Sequence, residues 1–108
     1  MVPIQLHPMD FYLRMDQQEA RCIVIFVAPS CGGCRRLLRM LAQAEELALS
    51  CFQVNAEEAG FLLDEYELQH LPAVLCFEGG ECIGAIEELG RVADLLHAAL
   101  ALPTIPRR

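Results

Sequence analysis

The sequence predicts an α/β fold: a three-layer sandwich whose mixed sheet has parallel inner strands and a C-terminal antiparallel hairpin, with helices on both faces. Three observations predict it. The run Cys22-Ile23-Val24-Ile25-Phe26-Val27-Ala28 is apolar without alternation, the mark of a strand buried on both sides. Strand-like and helix-like segments alternate along the chain, and right-handed crossovers between them place helices on both faces of a sheet. Near the C-terminus two apolar runs flank Glu78-Gly79-Gly80-Glu81, where paired glycines supply the positive φ of a tight hairpin turn.

Taken in order, Val2, Ile4 and Leu6 alternate with Pro3, Gln5 and His7, a short strand that its proline confines to a sheet edge. Pro8 suits a first helical turn, and the pattern from Phe11 through Met15 carries a helix to about Glu19. The apolar run from Cys22 follows. After Cys34, the spacing of Leu37, Leu38, Met40, Leu41, Ala44 and Ala48 predicts an amphipathic helix ending near Leu47. Cys51 to Val54 reads as a strand, and Asn55 as the cap of a helix whose buried side is Phe61, Leu62, Leu63 and Tyr66. Strands at Ala73 to Phe77 and Cys82 to Ile86 form the hairpin. A last helix, about Glu88 to Ala101, turns Leu89, Val92, Leu95, Leu96, Ala99 and Leu100 inward.

Composition bounds the function. The chain has 108 residues, 55% hydrophobic and 21% charged, which supports one core: a domain over 1–102, then a proline- and arginine-containing tail over 103–108 that frays. No apolar run approaches the roughly 18 residues of a membrane span, and Pro3, His7, Pro8, Asp10, Arg14 and Asp16 interrupt the segment where a signal peptide would be apolar. A cytoplasmic monomer away from membranes is expected. Fifteen acidic residues against eight basic ones leave a net charge of -7, which disfavours nucleic acid as a partner. All the basic residues are arginine, and Arg35, Arg36 and Arg39 follow Cys34 closely, a positive patch on an acidic protein.

Six cysteines in a small chain suggest a disulfide scaffold only in secreted, core-poor proteins. Here Cys22, Cys51, Cys76 and Cys82 fall in or beside apolar runs and read as small hydrophobes. Cys22 and Cys51 start neighbouring strands and Cys76 and Cys82 flank the hairpin, so pairing under oxidation stays open. The remaining two, in Cys31-Gly32-Gly33-Cys34, stand where a buried strand hands over to a helix.

That position carries chemistry. A thiol attacks disulfides as its thiolate, and Cys31 at a helix N-terminus gains stabilising amides and dipole, with Arg35 and Arg36 adding positive charge. Cys34, almost one turn on, lies within reach of a disulfide to Cys31. Gly32 and Gly33 loosen the loop between them. A metal site is the alternative use of two such cysteines, but zinc wants four ligands and the chain has no second Cys-x-x-Cys and no histidine pair at ligand spacing, so no metal and no added cofactor are expected.

From Ile4 to about Leu100 the chain resembles the thioredoxin family: in Ala28-Pro29-Ser30-Cys31-Gly32-Gly33-Cys34, in Leu71-Pro72-Ala73 ahead of a strand, and in Phe77-Glu78-Gly79-Gly80-Glu81 at the hairpin. The resemblance implies a thiol–disulfide oxidoreductase that acts on protein disulfides through Cys31 and Cys34 and is restored by a recycling reductant. It also implies a cis Pro72 facing the cysteines, flanked by Leu71 and Ala73, with Ser30, Pro29 and Leu71 lining a shallow substrate groove. Three places depart from the family pattern. Ser30 stands where an aromatic usually precedes the first cysteine, Ile25 replaces a buried aspartate, and Gln53 takes the place of its lysine partner. These two lost groups are linked to the proton of the second cysteine, so a redox-sensing or interaction module with little turnover is the alternative reading. His70 is either a proton carrier near Cys34 or an exposed loop residue.

Overall fold

The computed structural model describes residues 1–45 and 48–104. Its elements are β1 (Ile4–Gln5), a 3-10 turn (Pro8–Asp10) running into α1 (Phe11–Gln17), β2 (Cys22–Val27), α2 (Gly32–Gln43), β3 (Ser50–Asn55), a second 3-10 turn (Ala56–Glu58), α3 (Gly60–Glu65), β4 (Ala73–Glu78), β5 (Glu81–Ile86) and α4 (Val92–Ala101). The sheet order is β1-β3-β2-β4-β5.

The unbroken apolar run is β2, all six of its residues buried at the centre of this sheet. It pairs in parallel with β3, from Cys22 opposite Ser50 to Val27 opposite Asn55, and β1 continues the parallel order beyond β3. The inner strand β4 runs antiparallel to β2, so parallel pairing is confined to β1, β3 and β2. Alternate β2 residues feed two cores. Ile23, Ile25 and Val27 meet Cys34, Leu37 and Leu41 of α2 and Leu95 and Ala99 of α4. On the other face Cys22, Val24 and Phe26 meet Phe11 and Met15 of α1 and Leu62 of α3. Phe11 stands edge-on to Phe77 and Tyr66 there, the geometry aromatic rings prefer.

Several expectations are corrected at the edges, where less burial enforces the pattern. β1 is an edge strand, but only two residues pair, Ile4 is 49% exposed, and Pro3 and Leu6 are the residues that turn inward. α2 stops at Gln43 rather than near Leu47, a residue outside those described: Ala44 is extended, and the Met1 amino group donates to the open carbonyls of Leu41, Ala42 and Ala44 at 3.2, 3.2 and 2.5 Å. α3 is too short to bury the full predicted face, so Phe61 is exposed. α4 begins at Val92 because Arg91 is extended, and Leu100 faces solvent. Asn55 caps as expected, its side chain accepting from the Glu57 N–H at 3.0 Å. The hairpin turn places Gly79 and Gly80 at φ 61° and 86°, and a side chain at Gly80 would also strike the Asp16 carboxylate. Of the predicted tail, 105–108 lie outside the described residues.

Arg21 carries no local signal in the sequence, yet it organises one end of the fold. Its Nε donates to Glu78 Oε2 at 3.0 Å, its Nη1 to the carbonyls of Ala99, Leu100 and Leu102 at 2.9, 3.2 and 2.7 Å, and its Nη2 to Thr104 Oγ1 at 3.2 Å. One guanidinium thus ties the end of α4 to the sheet and satisfies the carbonyls that end would leave open.

All six cysteines are free. Register settles the pairings that the sequence leaves open. Cys51 sits opposite Ile23, one step away from Cys22, and therefore on the other face of the sheet. Cys76 and Cys82 likewise pack into different cores. Within a face, Cys22 and Cys82 flank Phe77, and Cys51 and Cys76 flank Ile23, a separation of two strand spacings or roughly 9 to 10 Å, beyond disulfide reach. Burial pushes the Cys22 and Cys51 thiols up to about 12 and Cys76 to about 11. Each of these holds its proton more tightly folded than unfolded. Their contribution to stability is therefore complete below the unfolded value of 9.0 and is lost as pH rises towards the raised values. Urea midpoints of the reduced protein are expected to fall steadily through the alkaline range, and less so in Cys22→Ala or Cys51→Ala; a flat profile in all three contradicts this.

Candidate active site

β2 ends at Val27, and the chain turns through Pro29 and the exposed Ser30 to Cys31, which is extended (φ −91°, ψ 114°) and serves as the N-cap of α2. Its Sγ accepts from the Cys34 N–H at 3.1 Å, while its carbonyl accepts from the Arg35 N–H at 3.2 Å. A cysteine here occupies the place of a serine or aspartate cap, so the helix amides that need an acceptor stabilise a thiolate. The hydrogen bond with the Cys34 side chain, then the backbone N–H groups of Cys34 and Gly33 and the Arg35 charge, hold Cys31 below the ordinary thiol value against a smaller opposing effect of burial.

Cys34 is different in every respect. It is 1% exposed among Ile25, Leu37 and Leu41, and burial, followed by the bond with Cys31, pushes its thiol up to about 11. One turn of helix thus separates a half-buried thiol that ionises easily from a buried one that keeps its proton.

The other predicted residues arrange around this pair. Arg35 lies across the mouth, its Nη1 donating to the Pro29 carbonyl at 3.0 Å, whereas Arg36 is exposed on α2 and joins no contact at the pair. The Leu71–Pro72 peptide is cis, and Pro72 stands over the first turn of α2: a methyl added at Gly33 would come within 3.2 Å of Pro72 Cδ. Gly33 is therefore a point of close approach between the two segments. Beyond Pro72, a cleft of about 380 Å³ runs past Ala73 and His70 to Glu87 and Leu89. Leu71 packs against both cores, and Pro29 borders a separate cleft with Cys34 and Arg35. Glu87 and Leu89 arrive from a loop far along the chain and carry no local signal. His70 is exposed and makes no side-chain hydrogen bond among the described residues. Among those residues no three His, Cys, Asp or Glu side chains are grouped to hold a metal.

Residue-by-residue register also locates the departures: Ile25 is fully buried opposite Gln53 on β3, with Gln5 next in line on β1. A hydrocarbon and a neutral amide stand beneath Cys34.

A family model described as Thioredoxin matches residues 2–101 of the chain. The chain belongs to the thioredoxin family. The M-type chloroplastic thioredoxin of Zea mays is 33% identical over 75 residues, a match covering 63% of this chain and 45% of that protein. The M-type chloroplastic thioredoxin of Chlamydomonas reinhardtii is 31% identical over 74 residues, covering 59% and 51%. The matches thus span about half the length of these relatives or less. Among solved structures, a mutant thioredoxin from Halobacterium salinarum NRC-1 aligns with a TM-score of 0.78 at 18% identity over 97% of this chain and 95% of its own, a likeness of fold.

The Cys31 environment makes a direct prediction. At neutral pH, iodoacetamide should modify Cys31 ahead of the other five cysteines, with a midpoint below that of an ordinary thiol. Arg35→Ala should move that midpoint upward, because it removes a guanidinium charge that favours the thiolate. Peptide mapping by mass spectrometry reads both, and a wild-type midpoint at or above the free value contradicts the assignment.

Proposed function

We propose that this thioredoxin-family chain reduces or exchanges protein disulfides through Cys31 and Cys34. The observation that carries the proposal is the division of labour between the two sulfurs: an accessible one held below its ordinary pKa, and a buried one held above it. The Cys31 thiolate attacks a substrate disulfide, forming a mixed disulfide and expelling one substrate thiolate, which takes a proton from water. Cys34 then loses its proton and attacks Cys31 Sγ. The Cys31–Cys34 bond forms, the mixed disulfide breaks, and the second substrate sulfur leaves reduced. A recycling dithiol reductant returns two electrons and two protons to the pair, and no added cofactor enters.

In this reading Pro72, which stands against Gly33, and Ala73 receive an extended substrate segment, with Ser30 and Leu71 on its approaches. What supports a reducing compartment such as the cytoplasm is the set of buried, unpaired thiols, which would gain nothing from an oxidising one. The monomeric state belongs to the same proposal. A second reading, a redox-sensing or interaction module with little turnover, is favoured by the hydrocarbon of Ile25 under Cys34, which offers no acid or base.

The test is reduction of insulin disulfides by dithiothreitol with catalytic amounts of protein. Wild type should accelerate it and Cys31→Ser should run at the uncatalysed rate; equal rates for the two defeat the proposal. Slow wild-type turnover with a reversibly forming Cys31–Cys34 bond would select the sensing module.

A further inference from the structure

Cys34 cannot resolve a mixed disulfide until its proton leaves, and among the described residues no charged or polar side chain is buried to take it. One wall of its surroundings is nevertheless open. On the β3 side of β2, away from Pro72, a cleft of about 230 Å³ lies between the first turns of α2 and the sheet, lined by Cys34, Arg35 and Leu38 above and by Gln5, Gln53, Val27 and Asn55 below. That volume has room for several water molecules. Strand register makes its floor a graded row: Gln5 is exposed, Gln53 opposite it is half-buried, and Ile25 opposite Gln53 is closed off.

The polar groups of the cleft differ in what they have left to offer. The Asn55 amide is engaged, accepting from the Glu57 N–H and donating to Glu58 Oε1 at 3.0 Å. Arg35 is held by the Pro29 carbonyl. The Gln53 side chain makes no hydrogen bond among the described residues, although it lies partly buried in the same cleft wall as Cys34. A half-buried amide without a protein partner binds water.

We propose that Gln53 is a positioning residue for the resolving step, its amide holding in this cleft the water that receives the Cys34 proton. The proposal rests on the dithiol mechanism above. The proton passes from Cys34 Sγ to the cleft water and on to bulk water, the thiolate attacks Cys31 Sγ, and the electron pair of the broken mixed disulfide leaves on the substrate sulfur. The charged and titratable groups facing the cleft are Cys34 and Arg35 from α2, with Glu58 behind Asn55 and His7 4.0 Å from Glu58. None of them replaces the amide at Gln53.

The experiment separates the two steps. Reduced protein is mixed in stopped flow with a peptide disulfide whose two halves carry a fluorophore and a quencher, and formation and resolution of the mixed disulfide are followed from pH 6 to 9, a span of about three units around neutrality. Gln53→Leu should leave the first step unchanged and slow resolution about tenfold, less than the loss of a full general base. Gln53→Glu should restore the rate and add an acid-side inflection, because a carboxylate now takes the proton, which a merely structural role for residue 53 would not produce. Resolution rates and pH profiles that coincide in all three proteins overturn the proposal while leaving the dithiol mechanism standing. A wild type that forms no mixed disulfide overturns both.

Discussion

Cys34→Ser is expected to stop the reaction half-way, leaving substrate bound covalently to Cys31. The serine hydroxyl does not attack a disulfide, while the Cys31 N-cap position depends chiefly on backbone geometry that the substitution retains. Release then requires an external thiol. An intramolecular partner has an effective concentration on the order of 1 M or far above, so against millimolar added thiol the lifetime of the mixed disulfide should lengthen at least about a thousandfold. The adduct should be visible by intact-mass spectrometry as protein plus one substrate half, lost on adding excess reductant. Cys31→Ser should form no such adduct, because the remaining thiol is buried and strongly protonated. An adduct of equal abundance on Cys34 in that variant would reverse the assignment of the two roles.

Arg21→Met is expected to cost about 3 kcal/mol of stability, at the lower end for breaking a buried ion pair. Arg21 and Glu78 side chains are only 11% and 22% exposed, so little water is available to replace what is lost. The substitution leaves the Glu78 carboxylate without its guanidinium and the carbonyls of Ala99, Leu100 and Leu102 without their shared donor. For a domain of this size the Tm should drop by roughly 10 °C or more. Arg21→Lys should recover little of it, since one ammonium cannot span the sheet, three carbonyls and Thr104 together. Glu78→Gln should cost less than Arg21→Met, because the carbonyl contacts persist. Calorimetry reads all three, and an Arg21→Met within 1 °C of wild type, about the error of such a comparison, would show the clamp to be ornamental.

Features that a residue imposes on its immediate neighbours are legible in the amino-acid sequence. The apolar run at 22–28 has to be central because nothing in it can face water, and it is β2 with every residue buried. Gly79 and Gly80 have to turn with positive φ, and they do. Asn55 caps the next helical turn with its own side chain. At the site, two cysteines three apart at a strand-to-helix boundary are enough to place Cys31 as a helix cap and Cys34 behind it. Departures gather where the chain has solvent on one side: β1 loses its expected alternation, with Ile4 and Gln5 both exposed, and Phe61 and Leu100 stay outside, because a single apolar residue at an edge gains too little from burial to dictate a face.

What the sequence determined by itself is thus the order of elements, the central strand and the reactive pair, all written in periodicity or in contiguous residues. Only the tertiary structure decided which distant residues meet: Glu87 and Leu89 across from Pro72, Gln5 and Gln53 beneath Cys34, Arg21 beneath the end of α4, and Cys22 on the opposite face from Cys51. The physical reason is register. A shift of one residue between paired strands exchanges every side chain between the two faces of the sheet, and that choice is made by the packing of both cores at once, not by any segment alone.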